Sequence, residues 1–316
     1  MDKTPQFKNA ETGLEKAHSR IACARWRRQS KKHIELQGDI IMIQLPLYSV
    51  VIPTYGEKGA KLVENLLQTL SYSCRLPHEI IVVDDGSTEE VASRLDGLCR
   101  THGAIHLHNA ENKGFGAACN AGIGVANGHI IILHNNDVIP INDAIDHLAD
   151  FTMFTGAGIV GCKLLYPDNR IQHAGVYYQP DIVKEGGTPG PGWFDHILRF
   201  EDRYLPDACR ITPRLVTGAL MAINGALING IGMLDTRFGM ACEDIDLCLR
   251  SFEIGSAIAY NGRIEAYHLE GATRGNTPEL KALHPEWTQA EERSFLKFFE
   301  KWQGLDFRQF SLGAGR

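Results

Sequence analysis

The sequence predicts an α/β protein: a mostly parallel sheet with flanking helices. Three observations carry that reading. Short apolar runs rich in Val and Ile, at 48–52, 79–83, 105–108 and 130–133, have strand length. Stretches of helical length separate them, and strands that alternate with helices build parallel βαβ units. Each of the main runs stops at a turn of Gly, Asp, Asn or Pro, and the carboxyl ends of strands are where such sheets collect ligands.

In chain order, the run 48–52 ends at Pro53-Thr54-Tyr55-Gly56, and an amphipathic helix is expected over 60–71. The strand 79–83 stops at Asp84-Asp85-Gly86-Ser87, where Ser87 is suited to cap a helix running to about Thr101. After 105–108 comes Asn112-Lys113-Gly114-Phe115-Gly116, opening a helix over 116–127. The run 130–133 leads into His134-Asn135-Asn136-Asp137.

The second half is less regular. Strands are expected at 158–165 and 173–178, around the turn Pro167-Asp168-Asn169. The stretch 179–213 is rich in Pro and Gly and reads as a long loop that shapes an acceptor pocket. The apolar segment 215–234 carries Asn224, Asn229 and four glycines, so it reads as strand, turn and strand in a core rather than a membrane span. A helix over 243–251, a strand at 263–267 before His268, and an amphipathic helix over 286–303 bearing Trp287, Phe295, Phe298, Phe299 and Trp302 complete the chain. The expected organisation is a basic, helical extension (1–46), a core of a nucleotide-binding half (47–140) and an acceptor and catalytic half (141–274), and a helical C-terminal segment (275–316).

Composition narrows the class. With 316 residues and 44% hydrophobic content the chain can bury a substantial core, and a formal charge of −6 argues against a protein that coats nucleic acid. The eight cysteines are scattered without a Cys-x-x-Cys pair, which reads as free buried thiols in a reducing cytosol. The stretch 17–33 has six basic residues (Arg20, Arg25, Arg27, Arg28, Lys31, Lys32), no acid and fair helical propensity. A solvated surface helix is the plain reading. Contact with anionic membrane headgroups is the sharper one, and a subunit interface is a third.

The motifs together describe a nucleotide-sugar site. Asp137 projects from a strand end, where a carboxylate suits a hard cation such as Mn2+ or Mg2+ that bridges phosphates. Asn135 and Asn136 add amide oxygens but no charge; an Asx-turn is the structural alternative. One of Asp84 and Asp85 can accept from a base N–H or ribose hydroxyls, unless both only serve the turn. The loop Asn112–Gly116 precedes a helix start whose N–H groups favour phosphate, with Lys113 as a partner. Three acids in Glu243-Asp244-Ile245-Asp246 exceed what the helix dipole calls for. Asp246 and Arg250 are spaced as an i, i+4 pair, which leaves Glu243 and Asp244 facing the cleft, one of them as base. His268 is a metal ligand or a donor to the leaving phosphate.

These motifs, with Ile171-Gln172-His173-Ala174-Gly175 and the run through Arg250, resemble the family-2 glycosyltransferases of GT-A fold over about 48–274. The narrower likeness is to bacterial members that build O-antigen, capsule and other surface polysaccharides. The resemblance implies an inverting, metal-assisted transfer from a UDP- or dTDP-sugar to a glycan, lipid-linked or protein acceptor. Asp137 would hold Mn2+ or Mg2+, with His268 as second ligand. Pro53, Thr54, Tyr55, Asp84 or Asp85, and Asn112 to Phe115 would hold the nucleoside, beside Asn135 and Asn136, while Asp244 would be the base. The Asn135/Asn136 pair departs from a fully acidic Asp-x-Asp motif. A cytoplasmic place, peripheral on the inner membrane face, follows as an expectation. Two other functions were weighed: a nucleotidyltransferase, which needs a basic loop after the first strand where this chain has none before Lys58, and an inactive subunit that binds a partner or glycan.

Overall fold

The computed structural model describes residues 31–36, 39–44, 46–180, 192–239, 241–271 and 285–312. In the first half the elements follow the expected alternation: β3 (Tyr48–Thr54), α1 (Gly56–Ser73), β4 (His78–Asp84), α2 (Glu89–His102), β5 (Ile105–His108), α3 (Phe115–Val125) and β6 (Ile130–His134). Before them, β1 (Lys31–Leu36) and β2 (Asp39–Gln44) form an antiparallel pair. A helix was expected there; Ile34, Ile40, Ile41 and Ile43 are β-branched and favour strand. The rest of the basic stretch lies outside the described residues.

The second half adds β7 (Val138–Pro140), α4 (Ala144–Thr155), β8 (Ile159–Leu165), β9 (Ile171–His173), β10 (Val176–Gln179), β11 (Trp193–His196), β12 (Ile211–Thr212), β13 (Leu220–Asn224), α5 (Gly225–Ile231), α6 (Glu243–Glu253), β14 (Ile258–His268) and α7 (Pro285–Lys301). The main path of the large sheet runs β12-β14-β8-β13-β6-β3-β4-β5. Its parallel pairs are β3 with β4 and β6, β4 with β5, and β8 with β14. One reversed strand, β13, lies between β6 and β8 and sets Leu220 opposite His134. The residues just before β13 therefore meet the carboxyl end of β6.

Helices cover both faces, which explains why the strands are continuous apolar runs. Val50, Ile52, Val82 and Ile132 pack in one core with Leu66, Leu70, Leu95 and Leu148 from α1, α2 and α4. The alternate residues Val51, Ile81, Val83 and Leu133 belong to a second core with Ala118, Cys119 and Ile123 of α3 and with Leu247, Phe298 and Trp302. Gly122 lets α3 approach β3, because a Cβ there would collide with Val51.

Three expectations change in this half. The apolar segment 215–234 is one strand and one helix: Asn224 ends β13, and its side chain accepts from the Ala226 N–H as the N-cap of α5. The single strand expected at 173–178 is split at Gly175, whose φ of 103° interrupts it. The Pro/Gly-rich stretch contains β11, paired antiparallel with β10, a 3-10 turn at Pro206–Cys209, and β12; residues 181–191 lie outside the described residues. The seven described cysteines are free thiols and all but Cys209 are buried. Among the described residues, no helix is long and apolar enough to cross a membrane.

The expected Asp246–Arg250 pair is present at 2.8 Å and does more than brace one helix turn. Asp246 is fully buried and also accepts from Trp302 Nε1 at 3.0 Å and Lys301 Nζ at 2.5 Å. Arg250 in turn donates to the carbonyls of Ile231 and Met233 at the end of α5. One carboxylate thus joins α6 to the C-terminal helix. Replacing Asp246 with Ala strands the buried Trp302 N–H and takes a carboxylate from the partly buried Arg250 and Lys301, and a loss of about 3 kcal/mol is expected. Urea denaturation that shows an unchanged midpoint would refute this role.

Candidate active site

The ends of β3, β4 and β6 open on a cleft of about 530 Å3. Its wall includes Pro53 and Thr54 at the end of β3 and Tyr55 just after it, Asp85 after β4, Asn112, Gly114 and Phe115 at the start of α3, and Asn135, Asn136 and Asp137 after β6. His268 closes it from the end of β14. The structure therefore brings together residues from five separate motifs.

The two adjacent aspartates divide their duties. Asp85 accepts from the backbone N–H groups of Lys113 at 3.1 Å and Gly114 at 2.8 Å, and from Asn109 Nδ2 at 2.9 Å. It holds the loop that opens α3 while lining the cleft. Asp84 is fully buried behind the wall, accepting from Ser87 Oγ and from His108 Nδ1 at 2.9 Å. The reading that allowed either aspartate to face the ligand is narrowed to Asp85. Ser87 also accepts from the Gly56 N–H, and Thr88, not Ser87, takes the N-cap position of α2. The Lys113 side chain is exposed and lies outside the cleft wall. Asn136 Nδ2 donates to Thr54 Oγ1 at 3.0 Å, tying the turn after β6 to β3.

Asp137 and His268 form the pair with metal-ligand chemistry. His268 Nε2 lies 3.3 Å from Asp137 Oδ1. On the other side of the ring, Nδ1 is 2.6 Å from Gln172 Oε1. The Gln172 amide nitrogen faces the His268 carbonyl and Glu270 Oε2, so its oxygen is turned to the ring. An amide oxygen can only accept; Nδ1 therefore carries a proton, and Nε2 is the nitrogen turned toward the Asp137 carboxylate. Two lone-pair donors so close need a cation between them, either a proton or a metal ion. The two donor types suit Mn2+ or Mg2+ only with further ligands from a bound diphosphate or water, since among the described residues no group of three or more His, Cys, Asp and Glu could hold an ion. The Leu269 N–H donates to the Asp137 carbonyl at 3.0 Å and holds the two strand ends together.

A second cavity of about 330 Å3 shares Phe115, Asn135 and His268 with the first. Glu243 and Asp244 line it at the start of α6. Asp244 Oδ2 accepts from the Gly218 N–H at 2.8 Å, and Oδ1 from the Ile245 N–H at 2.8 Å. One residue along, the Ala219 carbonyl accepts from the Asn135 N–H at 2.9 Å. The loop after β6 and the acidic helix start are thus joined through two neighbouring residues. Glu243 is buried, whereas Asp244 is only half-buried.

The outer wall of the second cavity holds residues that the sequence reading did not assign. Trp193, Phe194 and His196 come from β11, and Phe295 and Glu291 from α7. The Trp193 and Phe295 rings lie 4.2 Å apart. His196 and His173 face each other through their Nδ1 atoms, and burial pushes both imidazoles below the usual histidine range. His134 is likewise held down to about 4 by burial, and its Nδ1 donates to the Asn135 carbonyl. Gln172 and His173 sit in the stretch 171–175, which had stood out as a motif without a role.

Residues 49–209, more than half of the chain, match the model of Glycosyl transferase family 2. An uncharacterized protein of Sinorhizobium fredii, y4gI, is 34% identical over 276 residues, 83% of this chain and 28% of that protein. The O-antigen biosynthesis protein RfbC of Myxococcus xanthus is 26% identical over 72% of this chain and 18% of its own length. The chain thus spans less than a third of these two relatives. An N-acetylglucosaminyl-diphospho-decaprenol L-rhamnosyltransferase of Mycobacterium tuberculosis is 26% identical over 74% of this chain and 80% of its own. Among solved structures, GalNAc-T7 with UDP, GalNAc and Mn2+ has a TM-score of 0.57 at 14% identity, covering 98% of this chain and 63% of that one. That likeness is one of fold, and it agrees with the GT-A architecture of a nucleotide-binding sheet whose carboxyl edge carries the cleft. With the family match over more than half of the chain, including β3 to β6 and the loop that carries Asp137, the chain belongs to glycosyl transferase family 2.

Proposed function

We propose that this chain transfers a sugar from a UDP- or dTDP-sugar to a hydroxyl of a glycan, lipid-linked or protein acceptor in surface polysaccharide assembly. The observation that carries the reading is the pair of cavities joined at Asn135 and His268, one holding Asp137 and the other Asp244. The O-antigen and rhamnosyl-transfer functions of two relatives support the pathway class. UDP and Mn2+ in the GalNAc-T7 structure support the donor and ion class.

The donor nucleotide lies in the first cavity, between the Pro53–Tyr55 turn and the loop that Asp85 holds. Asp137 and His268 would bind Mn2+ or Mg2+, which supplies positive charge to the diphosphate as it leaves. Asp244 takes the proton of the acceptor hydroxyl in the second cavity. The hydroxyl oxygen then bonds to the anomeric carbon as the bond to the diphosphate breaks, and attack from the side opposite the leaving group inverts the anomeric centre. Asp244 suits this role because its backbone donors orient it while it stays accessible. Glu243, deeper in the wall, is the other acid of the pair. The basic stretch 17–33 would bring the protein to an anionic cytoplasmic membrane surface, where a lipid-linked acceptor resides.

Calorimetric titration of UDP, and separately dTDP, with Mn2+ or Mg2+ and then with chelator tests the donor side. Binding should fall with chelator and with Asp137→Ala; binding that survives both would remove the metal from the reading. Asp244→Asn should keep nucleotide affinity and lose about 100-fold or more in transfer. Full turnover by this variant would rule Asp244 out as base. Gln172→Leu should weaken Mn2+ affinity by about tenfold or more, because His268 loses the partner that sets its tautomer; unchanged affinity in a metal titration would sink that assignment.

A further inference from the structure

His196 lines the second cavity and His173 lies buried beside it, neither with a part in the mechanism above. His173, at the end of β9, is fully buried, and among the described residues its Nε2 has no hydrogen-bond partner. Its Nδ1 lies 3.0 Å from the Nδ1 of His196. His196 belongs to the cavity wall with Asp244, and among the described residues its Nε2 has no protein partner. Unlike the Nε2 of His173, it is not a sealed atom, so it opens on the cavity.

A hydrogen bond between two imidazole nitrogens needs one proton between them, which leaves two arrangements for a neutral pair. If His196 were the donor, the Nε2 of His173 would bear its ring proton. That N–H would be buried with nothing to accept it. If His173 is the donor, its Nε2 is a buried lone pair, and an unfilled acceptor is the milder defect. His196 must then carry its own proton on Nε2. Burial pushes both imidazoles below the usual histidine range; Arg214 near His173 and Arg199 near His196 act in the same direction, while the Asp244, Asp195 and Glu270 carboxylates oppose it at His196.

We infer that His173 fixes the tautomer of His196, so that His196 presents an Nε2–H donor to an oxygen of the acceptor sugar in the cavity that Asp244 serves as base. The inference rests on the transferase reading of that cavity. The donor and the base are complementary there: Asp244 accepts a proton, while His196 donates a hydrogen bond to an acceptor oxygen and orients the hydroxyl. His173 is a positioning residue and touches no substrate. The sugar class is one with a hydroxyl or ring oxygen near the attacking hydroxyl, held against an aromatic wall.

The tautomers can be read without substrate by long-range 1H–15N spectra of the full chain labelled at histidine, with His173→Gln and His196→Gln as assignment variants. Nδ1–H on His173 and Nε2–H on His196 is the expected result. The reverse tautomers, or a charged His196 at pH 7.5, would overturn the proposal whatever the activity. In transfer assays with a panel of n-octyl glycosides, His196→Ala should raise the acceptor KM about tenfold, as loss of one hydrogen bond predicts. UDP affinity should not change, and His196→Gln, whose amide N–H reaches to the same place, should restore most of the KM. An Ala variant with wild-type KM would also overturn it. Failure of the transferase reading has a separate sign, which is Asp244→Asn turning over normally.

Discussion

The reversed strand β13 is the constraint on which the rest of the site depends. The neighbouring β3, β4 and β6 run parallel, and the acids at their ends come from one half of the chain. Because β13 enters the sheet from the same edge at which they leave it, its first residues lie against the loop after β6. Gly218 and Ala219 can then bind Asp244 on one side and Asn135 on the other. A parallel strand in that slot would put those residues at the opposite edge. The register is set by pairing on both sides, with Met221 opposite Leu133 of β6 and Gly161 of β8.

Around that edge the carboxylates are sorted by how fully the protein satisfies them. Asp84 and Asp246 have no exposed surface, and each is held by donors from other elements. A carboxylate so enclosed has no room for a ligand, and its donors are what make burial tolerable. Asp85 is intermediate, shaping the loop while keeping contact with the cleft. Asp137 and Asp244 retain an open side. The histidines follow the same logic: Gln172 directs one nitrogen of His268, and the sealed His173 directs one nitrogen of His196.

The C-terminal helix is part of this arrangement rather than an appendage. Its Phe298 and, just past its end, Trp302 complete the second core, and Asp246 ties it to α6 through Lys301 and Trp302. The same helix supplies Phe295 and Glu291 to the second cavity. The packing that stabilises α6 therefore also sets one wall facing Asp244, two residues before Asp246 in the chain.

The local pattern of the sequence was enough for the βαβ half, because apolar runs flanked by turn residues depend on short-range sterics and on burial of both sheet faces. Strand ends with acids were legible for the same reason, and so was the i, i+4 pair on α6. Local pattern failed where a segment's state depends on a distant partner. The hairpin at 31–44, the split after His173, and the strand-then-helix at 220–231 each follow from pairing or capping that composition does not display. Tertiary structure alone decided which of two adjacent aspartates faces the cleft. It alone brought Gln172 to His268 across 96 residues and His173 to His196 across 23. Such choices turn on burial and on the count of donors around each group, and those exist only once the chain is folded.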